Sequence, residues 1–270
     1  MDVYWLEQSE ADVPVENDWL SASELARLNG MRFVKRRTDW RLGRWTAKCA
    51  LACCLNLPDQ PFHSLLASIE IRPAPSGAPE VFSANNPGLV AISLSHRSGV
   101  AACAVALSGG ALGCDLEAIE PRSDAFVADY FTTEEQALIV QAPEADRPRL
   151  LALFWSAKES ALKALRAGLR LDTRCVSVCP VDAPYPQQGS GILNLESEIG
   201  TVSPDDAYQE GSGIQNLESE IGKWRPLRVR HTDSQTFHGW WQHTGNLVRT
   251  LVAAPPPRPP ILLNRSIRYP

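Results

Sequence analysis

Two carboxylates stand two residues apart in the run ALGCDLEAI at 111–119, as Asp115 and Glu117. The run is apolar and short enough to be a strand, so alternate side chains leave opposite faces. Asp115 and Glu117 then share one face, while Cys114 and Leu116 turn toward the core. Paired carboxylates on a rigid strand suit a hard divalent cation such as Mg²⁺ or Mn²⁺. The same alternation also fits the polar outer face of a half-buried strand. Some 40 residues further on, FWSAKESALKALRAG at 154–168 reads as a helix. On a 3.6-residue period Leu151, Phe154, Trp155, Ala161, Leu162 and Leu165 form one apolar arc. Lys158 falls in the middle of that arc and Glu159 at its edge. A charge there is costly unless something pairs with it. Glu159 and Lys163 are also spaced for an ordinary i,i+4 ion pair.

A second set of polar residues lies upstream. Arg37, Arg41, Arg44 and Lys48 follow i, i+4, i+7, i+11 on a helix expected over 38–55, with only Asp39 near enough to neutralise them. Such a stripe faces water or binds a polyanion. Ser95 and His96 end a strand-like run just before Gly99, where a hydroxyl, an imidazole and backbone N–H groups could hold a phosphate. As a hydrolase dyad the pair lacks a nucleophile elbow. An acidic metal site, a basic stripe and a lysine in an apolar arc together suit a phosphorylated substrate, because phosphoryl-type transfer needs mainly positioning and charge neutralisation. No Walker A loop or kinase signature is present, so the donor is not held as a typical nucleoside triphosphate.

The elements that must position these residues are mixed. Ser21 with Glu24, and Thr132 with Glu135, have capping-box spacing and open helices through Leu28 and to about Gln141. The helix that carries Lys158 follows Pro148 and ends at Gly168, read as its C′ glycine. Residues 73–88, rich in Pro, Gly and Asn, read as loop. Strand-like runs occupy 90–96, 100–107 and 111–119, and Gly109-Gly110 signals a hairpin between the last two. FHGWWQHTGNLVRTLVAA near the C-terminus reads as a hairpin turning at 244–246, followed by an extended proline-rich tail. Hairpins without βαβ alternation indicate an α+β fold. GSGILNLESEIG at 189–200 recurs as GSGIQNLESEIG at 211–222. Two copies do not make a solenoid, so 186–224 reads as a duplicated surface insertion.

The bulk numbers narrow the classes. The 270 residues carry a net charge of −5, with 44% hydrophobic and 21% charged residues. That composition suits a soluble protein with one large or two modest cores and gives no blanket basic surface for nucleic acid. The first residues have no basic start followed by an apolar run, and no stretch is long and apolar enough to cross a bilayer, so no membrane partner is expected. Seven cysteines, none in a CxxC pair, read as reduced thiols in a cytoplasmic protein, with a zinc site as the minor alternative.

Gly113-Cys-Asp115-Leu-Glu117 followed by Trp155-Ser-Ala-Lys158-Glu159-Ser-Ala-Leu-Lys163 resembles the paired signature of 4′-phosphopantetheinyl transferases. RRTDWRLGRWTAK at 36–48, GAP at 77–79, SLSH at 93–96, IEPR at 119–122 and YFTTEE at 130–135 add to the likeness, which covers roughly residues 20–180. The length suits the monomeric, two-half branch of that family, which activates polyketide and nonribosomal peptide synthetases.

The resemblance implies a pseudo-dimer of two similar α+β halves with coenzyme A bound between them. The N-terminal half would span 1–107, the C-terminal half 108–254, and the tail 255–270. It implies Mg²⁺, with Mn²⁺ as the alternative, on Asp115, Glu117 and Glu159. Lys158 would contact the donor phosphates, and Lys163 the pantetheine-side phosphate or the incoming serine. Ser95, His96 and Arg44 would hold the 3′-phosphate and adenosine end, with Arg37 and Lys48 of the stripe beside them. Ala78 stands where many relatives carry a lysine. The activity implied is transfer of phosphopantetheine to a serine of apo acyl, peptidyl or polyketide carrier domains, with Glu159 or a metal-linked water as the base. The alternative is a non-catalytic coenzyme A or carrier-protein binding protein.

Overall fold

The computed structural model describes residues 1–55, 61–82, 90–180 and 222–263. The chain opens with strand β1 (Tyr4–Ser9), helices α1 (Ala22–Asn29), α2 (Val34–Cys54) and α3 (Phe62–Ser68), and a small hairpin of β2 (Glu70–Pro73) and β3 (Pro79–Phe82). Strands β4 (Ala91–Arg97), β5 (Val100–Ala106) and β6 (Ala111–Ala118) follow, then helices α4 (Asp124–Tyr130), α5 (Thr133–Gln141) and α6 (Arg147–Ala164). Strands β7 (Val176–Pro180), β8 (Arg225–His231), β9 (Thr236–Thr244), β10 (Leu247–Ala254) and β11 (Ile261–Leu262) complete the α+β architecture.

The main strands form two sheets. One has the order β11-β1-β5-β4 and the other β6-β10-β9-β8-β7. Helix α2 covers the first: Trp45, Ala50 and Leu51 cluster with Leu6, Cys103 and Val105. Helix α6 covers the second: Phe154, Ala157, Ala161 and Leu162 cluster with Phe237, Val248 and Val252. A third apolar cluster joins the sheets, taking Ala102, Ala104 and Ala106 from β5, Leu112, Cys114 and Leu116 from β6, and Leu251 and Ala253 from β10. Period-2 alternation therefore sends Gly113, Asp115 and Glu117 to the other face of β6, the one under α6. Close approach is possible there because position 113 has no side chain. A Cβ at Gly113 would lie 1.8 Å from the Ser160 carbonyl oxygen.

The two halves repeat one arrangement. Ser21 and Glu24 form a capping box at α1, as Thr132 and Glu135 do at α5. Each box glutamate also reaches a buried helix lysine, Glu24 to Lys48 of α2 at 2.5 Å and Glu135 to Lys158 of α6 at 2.8 Å. Its other oxygen accepts a strand N–H, Ile71 at 3.1 Å or Val178 at 2.9 Å. Each lysine sits near an aromatic ring, Trp19 at 5.9 Å or Phe131 at 5.8 Å. Matching chemistry at matching places makes the chain a pseudo-dimer.

Several expectations are corrected. Helix α2 begins at Val34 rather than near residue 38, because its first turn is exposed and shows no apolar period. The 73–88 stretch is not all loop. Glu70–Pro73 and Pro79–Phe82 pair as a hairpin whose flanking prolines mask the strand pattern, and 83–89 lie outside the described residues. Gly109 and Gly110 do turn the chain, at φ 68° and 101°, but they carry it from one sheet to the other, not round a β5–β6 hairpin. Helix α6 ends at Ala164 rather than Gly168. The Arg166 N–H reaches the Lys163 carbonyl and the Ala167 N–H that of Leu162, with Arg166 in the left-handed position at φ 54°. Part of the tail is a strand: β11 pairs in parallel with β1, where the Ile261 and Leu263 N–H groups reach the Val3 and Trp5 carbonyls at 2.9 and 2.8 Å. The 186–224 insertion lies outside the described residues up to Ile221. The hairpin of β9 and β10 turns at Gly245–Asn246 as expected.

Candidate active site

Asp115 sits at the meeting of three elements. Its strand, β6, lies beside β4 without a backbone ladder between them. Two serine hydroxyls of β4 do that work: Ser93 Oγ accepts the Cys114 N–H at 2.9 Å and Ser95 Oγ the Leu116 N–H at 3.2 Å. Ser95 Oγ also donates to Asp115 Oδ1 at 2.8 Å. From α6, Lys163 Nζ donates to the same Oδ1 at 2.8 Å and to the Cys114 carbonyl at 3.0 Å. Asp115 Oδ2 is buried and has no hydrogen-bond partner among the described residues.

The neighbouring carboxylates feel that charge. Burial pushes Glu117 up to about 7 and Asp115 adds to the shift, against Arg97, Arg122 and a Trp155 hydrogen bond. Burial and then Asp115 raise Glu159 as well, against Lys163. Burial disfavours the charged form of Lys163, but Asp115, Cys114 and Glu159 outweigh it and hold the ammonium above its ordinary value. Arg122 of the IEPR run reaches Glu117 at 2.9 Å and Glu120 at 3.3 Å. Mutually repelling carboxylates beside a buried, unpartnered oxygen have the chemistry of a cation site. Among the described residues no three His, Cys, Asp or Glu side chains are already gathered as a metal cage. Mg²⁺ does not require one, since it keeps several waters and is often held by one or two carboxylates plus substrate phosphate. The residues fit such an ion on those terms.

A cleft of about 410 Å³ opens beside this cluster, between the halves. Arg27, Trp40, Arg44 and the 76–79 turn line it from one side, and Leu112, Lys163 and Arg166 from the other. The lining holds four cations and no carboxylate among the described residues. Arg44 lies 5.1 Å from the Trp40 ring centre, and burial pulls its pKa below the ordinary guanidinium value, with Glu24 opposing. Ala78 indeed offers no charge, while Arg166 stands in the same lining and reaches Glu80 at 3.4 Å.

Several candidate residues take other places. Lys158 is fully buried and its ammonium is spent inside the protein, on Glu135 and on the Thr173 and Val176 carbonyls at 3.0 and 2.6 Å. It is not a phosphate contact. Lys48 is its counterpart, equally buried on Glu24 and on the Trp19 and Leu66 carbonyls at 3.0 Å each. Burial lowers the pKa of both lysines, and the paired glutamate opposes it. Arg37 donates to the Leu28 and Met31 carbonyls and so closes the end of α1. Ser95 and His96 cannot grip one phosphate together, because neighbouring strand residues face opposite ways: Ser95 is buried on Asp115, and His96 is exposed with Asp39 at 3.8 Å. Arg44 and Lys163 do line the cleft. Glu117 and Glu159 each lie close enough to Asp115 to feel its charge, but the three are not gathered as one cage. Sequence reasoning missed Arg27, Arg166 and the second duty of Glu24 and Glu135. The two capping boxes were visible, but nothing local shows that their glutamates also hold lysines more than 20 residues away.

All seven cysteines are free, and burial raises Cys54 to about 12 and Cys114 to about 11, which makes them poor metal ligands. Among the described residues no helix is long and apolar enough to cross a membrane.

The family model of the 4′-phosphopantetheinyl transferase superfamily matches residues 111–201. The curated protein 4′-phosphopantetheinyl transferase HetI of Nostoc sp. (strain PCC 7120) is 26% identical over 205 residues, 74% of this chain and 81% of that protein. Among solved structures, the holo-(acyl-carrier-protein) synthase of Bacillus anthracis, in complex with CoA (3′,5′-ADP), is 19% identical with a TM-score of 0.35, covering 40% of this chain and 96% of its own. The Helicobacter pylori holo-[acyl-carrier-protein] synthase in complex with coenzyme A is 19% identical with a TM-score of 0.31, covering 38% and 96%.

Proposed function

We propose that this chain, whose residues 111–201 match the family model of the 4′-phosphopantetheinyl transferase superfamily, moves 4′-phosphopantetheine from coenzyme A to a serine of an apo carrier-protein domain. Adenosine 3′,5′-bisphosphate is the other product. The observation that carries the reading is the inter-half cleft, which among the described residues is lined by four cations and no carboxylate, as suits a polyanionic donor, and whose Lys163 leads directly to Asp115. Arg27, Arg44 and Arg166 bind the phosphates of the donor, and Trp40 with the 76–79 turn offers apolar surface to the adenosine end. Lys163 stands where charge grows on the pyrophosphate during transfer. The carrier serine attacks the β-phosphorus, the bond to the bridging oxygen breaks, and Glu159 accepts the serine proton. Burial and Asp115 raise Glu159 above the ordinary carboxylate value, which makes it a stronger proton acceptor than a free carboxylate.

A divalent cation, Mg²⁺ with Mn²⁺ as the alternative, would be held by Asp115 Oδ2, Glu117 and Glu159 and would supply Lewis-acid stabilisation of the pyrophosphate. The protein acts in this reading as a cytoplasmic monomer, with acyl, peptidyl or polyketide carrier domains as partners. The test is the mass of apo carrier domains after incubation with coenzyme A and Mg²⁺. A gain of one phosphopantetheine on at least one domain, lost with Asp115→Ala, is the expected result. No gain across a broad panel would overturn the reading.

A further inference from the structure

Asp115 is held by a residue of the other half. Its Oδ1 takes two donors, Ser95 Oγ from β4 and Lys163 Nζ from α6, each at 2.8 Å. Its Oδ2 takes none, although it is buried. Two donors converging on one oxygen fix the rotation of a carboxylate and leave the other oxygen buried without a hydrogen-bond donor among the described residues. Ser95 has no proton left to donate elsewhere. A hydroxyl has one proton, and here that proton goes to Asp115 while a lone pair takes the Leu116 N–H at 3.2 Å. Both groups are nearly excluded from water, with Ser95 9% and Asp115 4% exposed.

We infer that Ser95 is a positioning residue that presents Asp115 Oδ2 to the divalent cation, so that the metal ligand of the C-terminal half is set by a hydroxyl of the N-terminal half. This rests on the reading of Asp115 as a metal ligand. It assigns Ser95 to the carboxylate and not to the donor's phosphate. Ser93 supplies an internal control. It makes the same stitch between β4 and β6, to the Cys114 N–H at 2.9 Å, and is bonded to no carboxylate. A partner that orients a metal ligand is worth about 10- to 100-fold in metal affinity.

The experiment titrates Mn²⁺ into the full chain and reads free Mn²⁺ by electron paramagnetic resonance, with thermal melts alongside. Ser95→Ala is expected to weaken Mn²⁺ by at least about tenfold, and Ser95→Thr, which keeps the hydroxyl, to restore most of it. Ser93→Ala is expected to lower the melting temperature as Ser95→Ala does and to leave the Mn²⁺ Kd within about twofold of wild type. Wild-type affinity in Ser95→Ala, or equal weakening in Ser93→Ala, would overturn the assignment of Ser95 while leaving the metal reading intact. Mn²⁺ affinity unchanged by Asp115→Ala would instead overturn the metal reading, and this inference with it.

Discussion

Lys158→Met separates a structural lysine from a ligand contact. The substitution keeps length and apolar stem and removes the charge. In the folded protein it strands the Glu135 carboxylate, whose side chain is 2% exposed, and takes the donor from the Thr173 and Val176 carbonyls. Glu135 keeps only the Thr132 and Val178 N–H groups, each at 2.9 Å. Removing one partner of a buried pair typically costs about 3–5 kcal/mol. A chain of this size loses roughly 2–4 °C per kcal/mol, so the melting temperature should fall by about 6–20 °C. Adding Glu135→Gln removes the stranded charge and keeps an acceptor, and should recover a substantial part of the loss. Thermal melts of the three proteins by circular dichroism, with and without coenzyme A, read the effect. The single variant should still be stabilised by coenzyme A at temperatures where it is folded. A ligand contact predicts the opposite pattern: no loss of ligand-free stability, and loss of the coenzyme A shift. A fall under about 2 °C, or no recovery in the double variant, would refute the structural account.

Three further outcomes are expected. Glu117 has a folded-state pKa near 7, above its unfolded value, so the stability it contributes is present below about pH 4.5 and is lost as pH rises through 7. Melts in EDTA should therefore show wild type losing up to roughly 3 kcal/mol relative to Glu117→Gln between pH 4.5 and 8, and parallel curves for the two would remove this cause. Gly113→Ala should cost about 3 kcal/mol or more, or abolish soluble protein, because the added Cβ would meet backbone at 1.8 and 2.8 Å, which cannot swing aside. A melting point within 2 °C of wild type would show that α6 shifts freely. Replacing residues 181–221 with a short linker should leave the fold intact, since Pro180 and Leu227 are paired on adjacent antiparallel strands and Trp224, which packs on Trp5, is kept. Insoluble product from that deletion would count against it.

Local chemistry was legible from the sequence by itself. Period 2 put Asp115 and Glu117 on one face of β6, and period 3.6 put Glu159 and Lys163 on one helix, because both repeats follow from backbone geometry over a few residues. The two capping boxes were visible for the same reason, each closing within three residues. The helix spacing also singled out Lys158 as a charge in an apolar arc, and it was right that such a charge needs a partner. Which partner was a tertiary matter. Glu135 is brought to it by the packing of α5 on α6, and a burial-driven ion pair leaves no mark on local periodicity. The same holds for Ser95: its place before a turn suits a phosphate donor, and only the packing of β4 against β6 gives its hydroxyl to Asp115. Only the third dimension placed Arg27, Arg44, Lys163 and Arg166 round one cleft, joined β11 to β1, and sent the Gly109-Gly110 turn from one sheet to another. A turn signal fixes only that the chain bends. Where the next strand pairs depends on which apolar face it can bury, and that face is built from residues at both ends of the chain.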